Sequence, residues 1–149
     1  MTTAHPSSSD VQQETEEIIR GILASTNPGV SFASERIACG KEWVSIDAVG
    51  RDKNGEIVQL VDIYARQGKL KGGQLKKPTD DAARLMLAAQ HSDGTPCLRL
   101  VWCCQQAVGQ VRRGWRGLAL EAMGVEIEAV GLPASQVERI LQAQKRQYR

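Results

Sequence analysis

Long hydrophobic stretches are missing from this sequence of 149 residues. No apolar run approaches the roughly 18 residues that a membrane-spanning helix needs. Residues 1–10 contain neither a basic start nor an apolar block, so the sequence does not predict a secretory signal peptide. We therefore expect a soluble, cytoplasmic protein.

Ligands for a zinc centre are also scarce. The sequence has 2 histidines and 4 cysteines, without a Cys-x-x-Cys pair and without a histidine at ligand spacing from a cysteine. Structural zinc sites need four such ligands at characteristic spacings, so a zinc site is not predicted. We expect solvated side chains at His5 and His91, and buried, reduced thiols at Cys39, Cys97, Cys103 and Cys104.

Net charge is low, but the charges are unevenly distributed. The chain has 19 Lys and Arg against 17 Asp and Glu, a formal charge of +2. Residues 66–77 include no acid, and they contain the bases Arg66, Lys69, Lys71, Lys76 and Lys77. The glycines among them indicate a flexible loop, which either binds nucleic-acid phosphates or is simply solvated.

Size and composition predict a single domain. With 42% hydrophobic and 24% charged residues, the chain is typical of a globular protein that has one core. Residues 1–9 are small and polar, which predicts a disordered tail. The domain is expected over residues 10–149.

Hydrophobic periodicity and breaker residues predict the order α-β-β-β-α-β-α-β-α. The first helix follows Asp10 as its N-cap and ends near Thr26. The expected strands are Val30–Ala38, Trp43–Arg51, Glu56–Ala65, Cys97–Cys104 and Val125–Val130. The order predicts an α/β fold in which helices cover a mixed sheet.

Three local features refine this order. The Asn54-Gly55 pair predicts a tight hairpin, which makes the second and third strands antiparallel neighbours. A second helix is expected over Asp80–Gln90. One helix before Gly124 carries Trp115 on its apolar stripe, which predicts a core tryptophan.

Two aspartates stand in otherwise apolar strands that the hairpin connects. Asp47 lies in the second strand and Asp62 near the end of the third. Burying a carboxylate is costly unless a cation accompanies it, so the pair predicts a site for Mg²⁺ or Mn²⁺. The alternative is that each aspartate merely ends a strand or caps a turn.

The pattern over residues 42–90 resembles the PD-(D/E)XK phosphodiesterase superfamily, whose core order is α-β-β-β-α-β. The aspartates in the second and third strands match its acidic pair. The loop and helix that follow, with Gln74, Lys77, Asp81 and Arg84 in order, are similar to a pattern in some of its members. This resemblance implies a restriction-endonuclease-like three-layer sandwich and metal-dependent hydrolysis of phosphodiesters.

The chain departs from that pattern at two positions. Tyr64 stands where the superfamily has its catalytic lysine, and a tyrosine cannot supply positive charge to the transition state. We expect Lys77 to replace it, with Arg66 as the second choice. Pro78 is incompatible with the interior of a helix, so the second helix is expected to begin near it.

The resulting expectation is a nuclease with a degenerate motif. Asp47 and Asp62 hold the metal ion, Lys77 or Arg66 stabilises charge, and Gln74 and Asp81 support the site. Glutamates that remain candidates for completing the metal site are Glu14, Glu16, Glu17 and Glu35. The alternative is a catalytically inactive module that binds nucleic acid or a protein. DNA is preferred over RNA as the partner, and a homodimer or larger complex is a further expectation.

Overall fold

The computed structural model describes residues 8–147. Helices and strands follow one another in the predicted order over most of this range. Their bounds are α1 Ser8–Thr26, β1 Ser31–Cys39, β2 Glu42–Arg51, β3 Ile57–Tyr64, α2 Gly72–Gln90, β4 Cys97–Trp102, α3 Gln105–Arg112, α4 Trp115–Ala122, β5 Val125–Ala129 and α5 Ala134–Gln147.

The five strands form one mixed sheet in the order β1-β2-β3-β4-β5. The pairs β1–β2 and β2–β3 are antiparallel, whereas β3–β4 and β4–β5 are parallel. The Asn54-Gly55 turn joins β2 to β3, as its sequence predicts. Crossover helices connect the parallel strands.

Helices cover both faces of this sheet. On one face α1 and α5 pack on a cluster that includes Ile19, Ile140 and Val101. On the other face α2, α3 and α4 pack on a larger cluster that includes Leu85, Leu120 and Leu100. The predicted fold class is confirmed: the protein is α/β, with helices on both faces of a mixed sheet, an arrangement consistent with a restriction-endonuclease-like sandwich.

Helix α2 begins earlier than Pro78 suggests. Its first residue is Gly72, and Pro78 lies inside it. The backbone N–H of Lys71 donates to Gln74 Oε1 at 2.9 Å, and the N–H of Gln74 donates to the carbonyl of Lys71. The prediction that the helix begins near Pro78 is wrong, because these bonds start the helix before the proline.

The helix predicted before Gly124 is two helices, and Trp115 is not in the core. Gly114 between them has a φ of 85°, which residues other than glycine rarely adopt. A Cβ on Gly117 would stand 2.5 Å from the carbonyl oxygen of Arg112, so α4 packs tightly on the end of α3. The break turns Trp115 outward, where 65% of it is exposed.

The first helix begins before its predicted start, and the cysteines form no disulfides within residues 8–147. Of the predicted tail, residues 1–7 lie outside the described residues, while Ser8 and Ser9 already belong to α1. Asp10 lies within that helix and is not its N-cap. The four cysteines are free, and Cys39 and Cys103 are buried. None of the helices between residues 8 and 147 is long and apolar enough to cross a membrane.

Candidate active site

The site lies where β2 and β3 separate. Their pairing runs from Arg51 and Ile57 to Ala48 and Val61 and stops there, next to Asp47. The N–H of Ile63 donates to Asp47 Oδ2 at 2.8 Å. A side chain thus satisfies a backbone donor at the point where the ladder ends.

A bulge in β2 helps to place Asp47. In the pairing with β1, Ala33 faces Val49 and Glu35 faces Ile46, so two residues of β2 stand opposite one residue of β1. The extra residue disturbs the alternation of side chains at Asp47 and Ala48. Asp47 therefore lies near α1, where Arg20 Nη1 donates to its carbonyl at 3.0 Å.

Asp62 faces α2, where the guanidinium of Arg84 pairs with it. Arg84 Nη2 lies 2.8 Å from Asp62 Oδ2 and 3.0 Å from Asp81 Oδ1. Arg84 Nη1 donates to the carbonyl of Ser45, which ties α2 to the separated part of β2. We call Asp47, Asp62 and Asp81, with Arg84 between the latter two, the carboxylate cluster.

Tyr64 joins this cluster through a second hydrogen bond. Its hydroxyl donates to Asp81 Oδ2 at 2.6 Å, and its ring stacks on Trp102 with centroids 4.2 Å apart. Burial and the acceptor Asp81 raise the pKa of Tyr64 above its ordinary value, so it remains protonated. Tyr64 therefore positions Asp81 and contributes no charge.

Burial dominates the electrostatics of the two strand aspartates. Burial and the nearby charge of Asp47 raise the pKa of Asp62 to about 7. Burial also raises the pKa of Asp47, against the bond from Ile63 and the charges of Arg84 and Lys77. Asp62 Oδ1 is buried and has no hydrogen-bond partner among the described residues. A buried acceptor in this state favours a proton or a cation.

One of the candidate glutamates lies within electrostatic range of the cluster. Burial raises the pKa of Glu16, a hydrogen bond from Gln12 at 3.0 Å opposes that rise, and the charge of Asp47 adds to it. Glu14 instead pairs with Arg139, and Glu35 pairs with Arg51. Glu17 is exposed. Periodicity alone did not distinguish Glu16, because the packing angle of α1 decides which residue faces Asp47.

Lys77 is close to the cluster from α2. Its Nζ lies 5.8 Å from the centroid of the Tyr64 ring. Its charge acts on Asp47 and Glu16, where it opposes the rise in pKa that burial causes. Lys77, Arg66 and Gln74 line one cavity of about 140 Å³ beside Tyr64. The amide oxygen of Gln74 accepts from Lys71, so it supports the start of α2.

The basic stretch is divided between a loop and a helix. Lys76 and Lys77 belong to α2, and Arg66, Lys69 and Lys71 precede it. Arg66 is half-buried, and the four lysines are exposed. Contact of these residues with phosphates stays a prediction.

Two glutamines hold the loop, contrary to the predicted flexibility. Gln110 accepts from the N–H of Leu70 at 2.7 Å and donates to its carbonyl. Gln144 does the same for Gln67. Each amide bonds both backbone groups of one residue, which fixes the loop beside the cavity. Nothing local in the sequence indicates these contacts.

The donor set suits a hard cation that keeps water ligands. Across residues 8–147, no three acidic, histidine or cysteine side chains are grouped so as to hold a metal ion by themselves. Mg²⁺ needs only one or two carboxylates when water and phosphate oxygens complete its octahedron. Asp47 and the unpartnered Asp62 Oδ1 fit that requirement.

Two of three comparisons with known proteins find no match. No family model matches the chain, and no curated protein matches it. It is similar to the crystal structure of a repair endonuclease from Pyrococcus abyssi, with 16% identity and a TM-score of 0.47 over 89% of this chain. The chain spans about half the length of that protein, 50%. Membership of the PD-(D/E)XK superfamily, the cytoplasmic location and the oligomeric state stay predictions.

Proposed function

We propose that this protein is a Mg²⁺- or Mn²⁺-dependent phosphodiesterase that acts on nucleic acid, with DNA preferred over RNA. The observation that carries this proposal is the buried, unpartnered Asp62 Oδ1 beside Asp47 at the split of the sheet. Among residues 8–147 no donor meets Asp62 Oδ1 in hydrogen-bond geometry, whereas Asp62 Oδ2 and both oxygens of Asp81 are bonded.

Asp47 and Asp62 are the residues that would hold the cation. When bound, such an ion lowers the pKa of water and neutralises charge on a phosphate. Arg84 positions Asp62 by pairing with one of its oxygens, which leaves the other free. Tyr64 and Arg84 both bond to Asp81, and these bonds fix the position of α2 relative to β3 at the site.

Lys77 supplies positive charge from a different direction than a lysine in the Tyr64 position. Its ammonium lies over the Tyr64 ring, at the cavity that also includes Arg66. A cation held there stabilises the negative charge that develops on a phosphate during hydrolysis. Arg66, Lys69, Lys71 and Lys76 then serve as contacts to neighbouring phosphates.

A second candidate function is a binding module without catalysis. Arg84 already neutralises part of the charge of Asp62 and Asp81. Tyr64 fills the position of the usual lysine and forms a hydrogen bond that serves structure alone. These two features favour an ancestral active site converted into a stable ion-pair network.

Cleavage assays separate these functions. Labelled single-stranded, duplex and branched DNA, and a matched RNA, are incubated with Mn²⁺, Mg²⁺ or EDTA. We expect metal-dependent cutting that falls at least about 100-fold in Asp47→Asn and Asp62→Asn, because each variant loses a cation ligand. Asp80→Asn is the matched control, since Asp80 is the exposed neighbour of Asp81 on α2.

A thermal melt with the metal alone provides an independent readout. A ligand that binds only the folded state raises its stability, so Mn²⁺ should raise the Tm of the natural chain and of Asp80→Asn. The rise should vanish in Asp62→Asn. Cutting that survives Asp62→Asn would refute the assignment, and salt-sensitive DNA binding without cutting would favour the binding module.

A further inference from the structure

The turn between α3 and α4 presents an exposed tryptophan among cations. Trp115 is 65% exposed, and the guanidinium of Arg116 lies 4.5 Å from the centroid of its ring. Arg113 is exposed at the same turn and donates to the carbonyl of Gly109. We call Arg113, Trp115 and Arg116, with the adjoining Leu75, the α3–α4 turn surface.

A small cavity connects this surface to α2. Its volume is about 110 Å³, and its lining includes Leu75, Gln110, Val111, Arg113, Trp115 and Arg116. No acid is among its lining residues. The lining of the cavity therefore combines apolar side chains, one aromatic ring and two positive charges.

The same surface adjoins the basic stretch of residues 66–77, which runs from the loop after β3 into α2. Gln110 lines the cavity and also bonds both backbone groups of Leu70. Lys71 and Lys76, on either side of Leu75 along the chain, are exposed. The bond between Gln110 and Leu70 thus brings the segment that carries these lysines next to α3, 40 positions along the chain.

An unpaired nucleic-acid strand matches this chemistry. Every base has a flat face that stacks on tryptophan, and arginine and lysine side chains attract the phosphates. A duplex hides its base faces, so an exposed indole gains little from it. A second copy that docked here through its own α3–α4 turn surface would bring two clusters of arginines together, which like-charge repulsion opposes.

We propose that the α3–α4 turn surface binds single-stranded nucleic acid, with one base stacked on Trp115 and phosphates against Arg113 and Arg116. This inference rests on the proposed function in so far as nucleic acid is the substrate. It specifies that the substrate includes an unpaired segment next to the site of cleavage.

Binding is measured by fluorescence anisotropy with a short fluorescein-labelled oligothymidylate in EDTA, so that cleavage does not interfere. We expect Trp115→Ala to weaken binding about tenfold, the size of a lost base stack, and Trp115→Phe to retain most of it. Trp43→Ala is the matched control, because Trp43 is 59% exposed and also has an arginine, Arg36, 5.0 Å from its ring centroid. It should change binding less than about twofold.

Salt dependence tests the arginines separately. Arg113→Gln and Arg116→Gln should each lower the salt slope of binding by about one. The same oligomer annealed to its complement should lose little affinity in Trp115→Ala. Melting curves confirm that each variant is folded, which is expected because Arg113 and Trp115 are exposed and Arg116 is half-buried.

The outcomes keep the two proposals apart. Loss of binding in Trp115→Ala with no cleavage under any metal condition supports this inference and refutes the phosphodiesterase. Metal-dependent cleavage with equal binding by Trp115→Ala and Trp43→Ala overturns this inference alone. Absence of oligonucleotide binding in the natural chain overturns it too, and would leave the surface to a protein partner.

Discussion

The carboxylate cluster and the α3–α4 turn surface both combine arginine with an aromatic ring, but they differ in burial. In the cluster, Arg84 pairs with the buried acids Asp62 and Asp81, and Tyr64 stacks on the buried Trp102. At the turn, Arg116 lies over the exposed ring of Trp115, and no acid lines the adjoining cavity.

This difference separates two uses of charge. Buried carboxylates must be neutralised inside the protein or by a bound cation, so their partners are fixed and structural. Exposed arginines are neutralised by solvent ions, which a polyanion readily displaces. We therefore propose a small cation as the ligand of the cluster and a polyanion as the ligand of the turn.

The largest expected effect is the difference in stability loss between alanine substitutions of Trp102 and of Trp115. Trp102→Ala removes a side chain that is 1% exposed, so unfolding free energy should fall by about 4 kcal/mol. Trp115→Ala removes an exposed ring and should cost less than about 0.5 kcal/mol. Urea denaturation of both variants measures the difference. Equal losses would mean that Trp115 is packed in solution, and the contrast between the regions would disappear.

Arginine substitutions test the next largest effect. Arg84→Ala should cost about 3 kcal/mol at neutral pH, because it leaves two buried acids without their cation. Arg139→Ala is the control, since both arginine side chains are 42% exposed but Arg139 pairs with the single, part-exposed Glu14. It should cost less than about 0.5 kcal/mol. Similar losses in denaturation midpoints would show that burial of the acid is unimportant.

The pH dependence of stability gives the smallest expected effect. The pKa of Asp62 is about 7 in the folded chain, against an ordinary 3.8. Between these values the folded state binds more protons than the unfolded state, so stability falls as the pH rises. Without metal, Asp62→Asn should gain about 2.5 kcal/mol over the natural chain between about pH 5 and pH 8.

Denaturant melts in EDTA at the two pH values measure this gain. Asp80→Asn, the exposed neighbour on α2, should show no such pH-dependent difference. Parallel stability curves for Asp62→Asn and the natural chain would contradict the raised pKa. Asp47, Asp81 and Arg84 face Asp62 and are unchanged in both variants.

Sequence patterns anticipated much of the site because its parts are local. Asp47 and Asp62 flank one short hairpin, and its Asn-Gly turn brings their strands together. Asp81 and Arg84 are three residues apart on one helix and bind each other. The predictions failed at Trp115 and Pro78, where Gly114 and the bond between Lys71 and Gln74 overrule helical periodicity.

Other contacts join residues that no local pattern relates. The loop after β3 is held by Gln110 and Gln144, which lie 40 and 77 residues away from their partners. The charge of Asp47 acts on Glu16 because α1 packs on the sheet beside β2. Such contacts depend on how whole helices pack on the sheet. The sequence contains several other glutamines and glutamates, and nothing local tells which of them will make the contact.

The amino-acid sequence by itself determined the α/β order, the hairpin and the presence of two aspartates in apolar strands, because these follow from periodicity and turn chemistry within short segments. The tertiary structure decided which groups meet those aspartates. It placed Arg84 on Asp62, left Asp62 Oδ1 without a partner, and turned Trp115 toward solvent. Burial and pairing are properties of distant residues brought together, and only packing of the complete sheet and its helices assigns them.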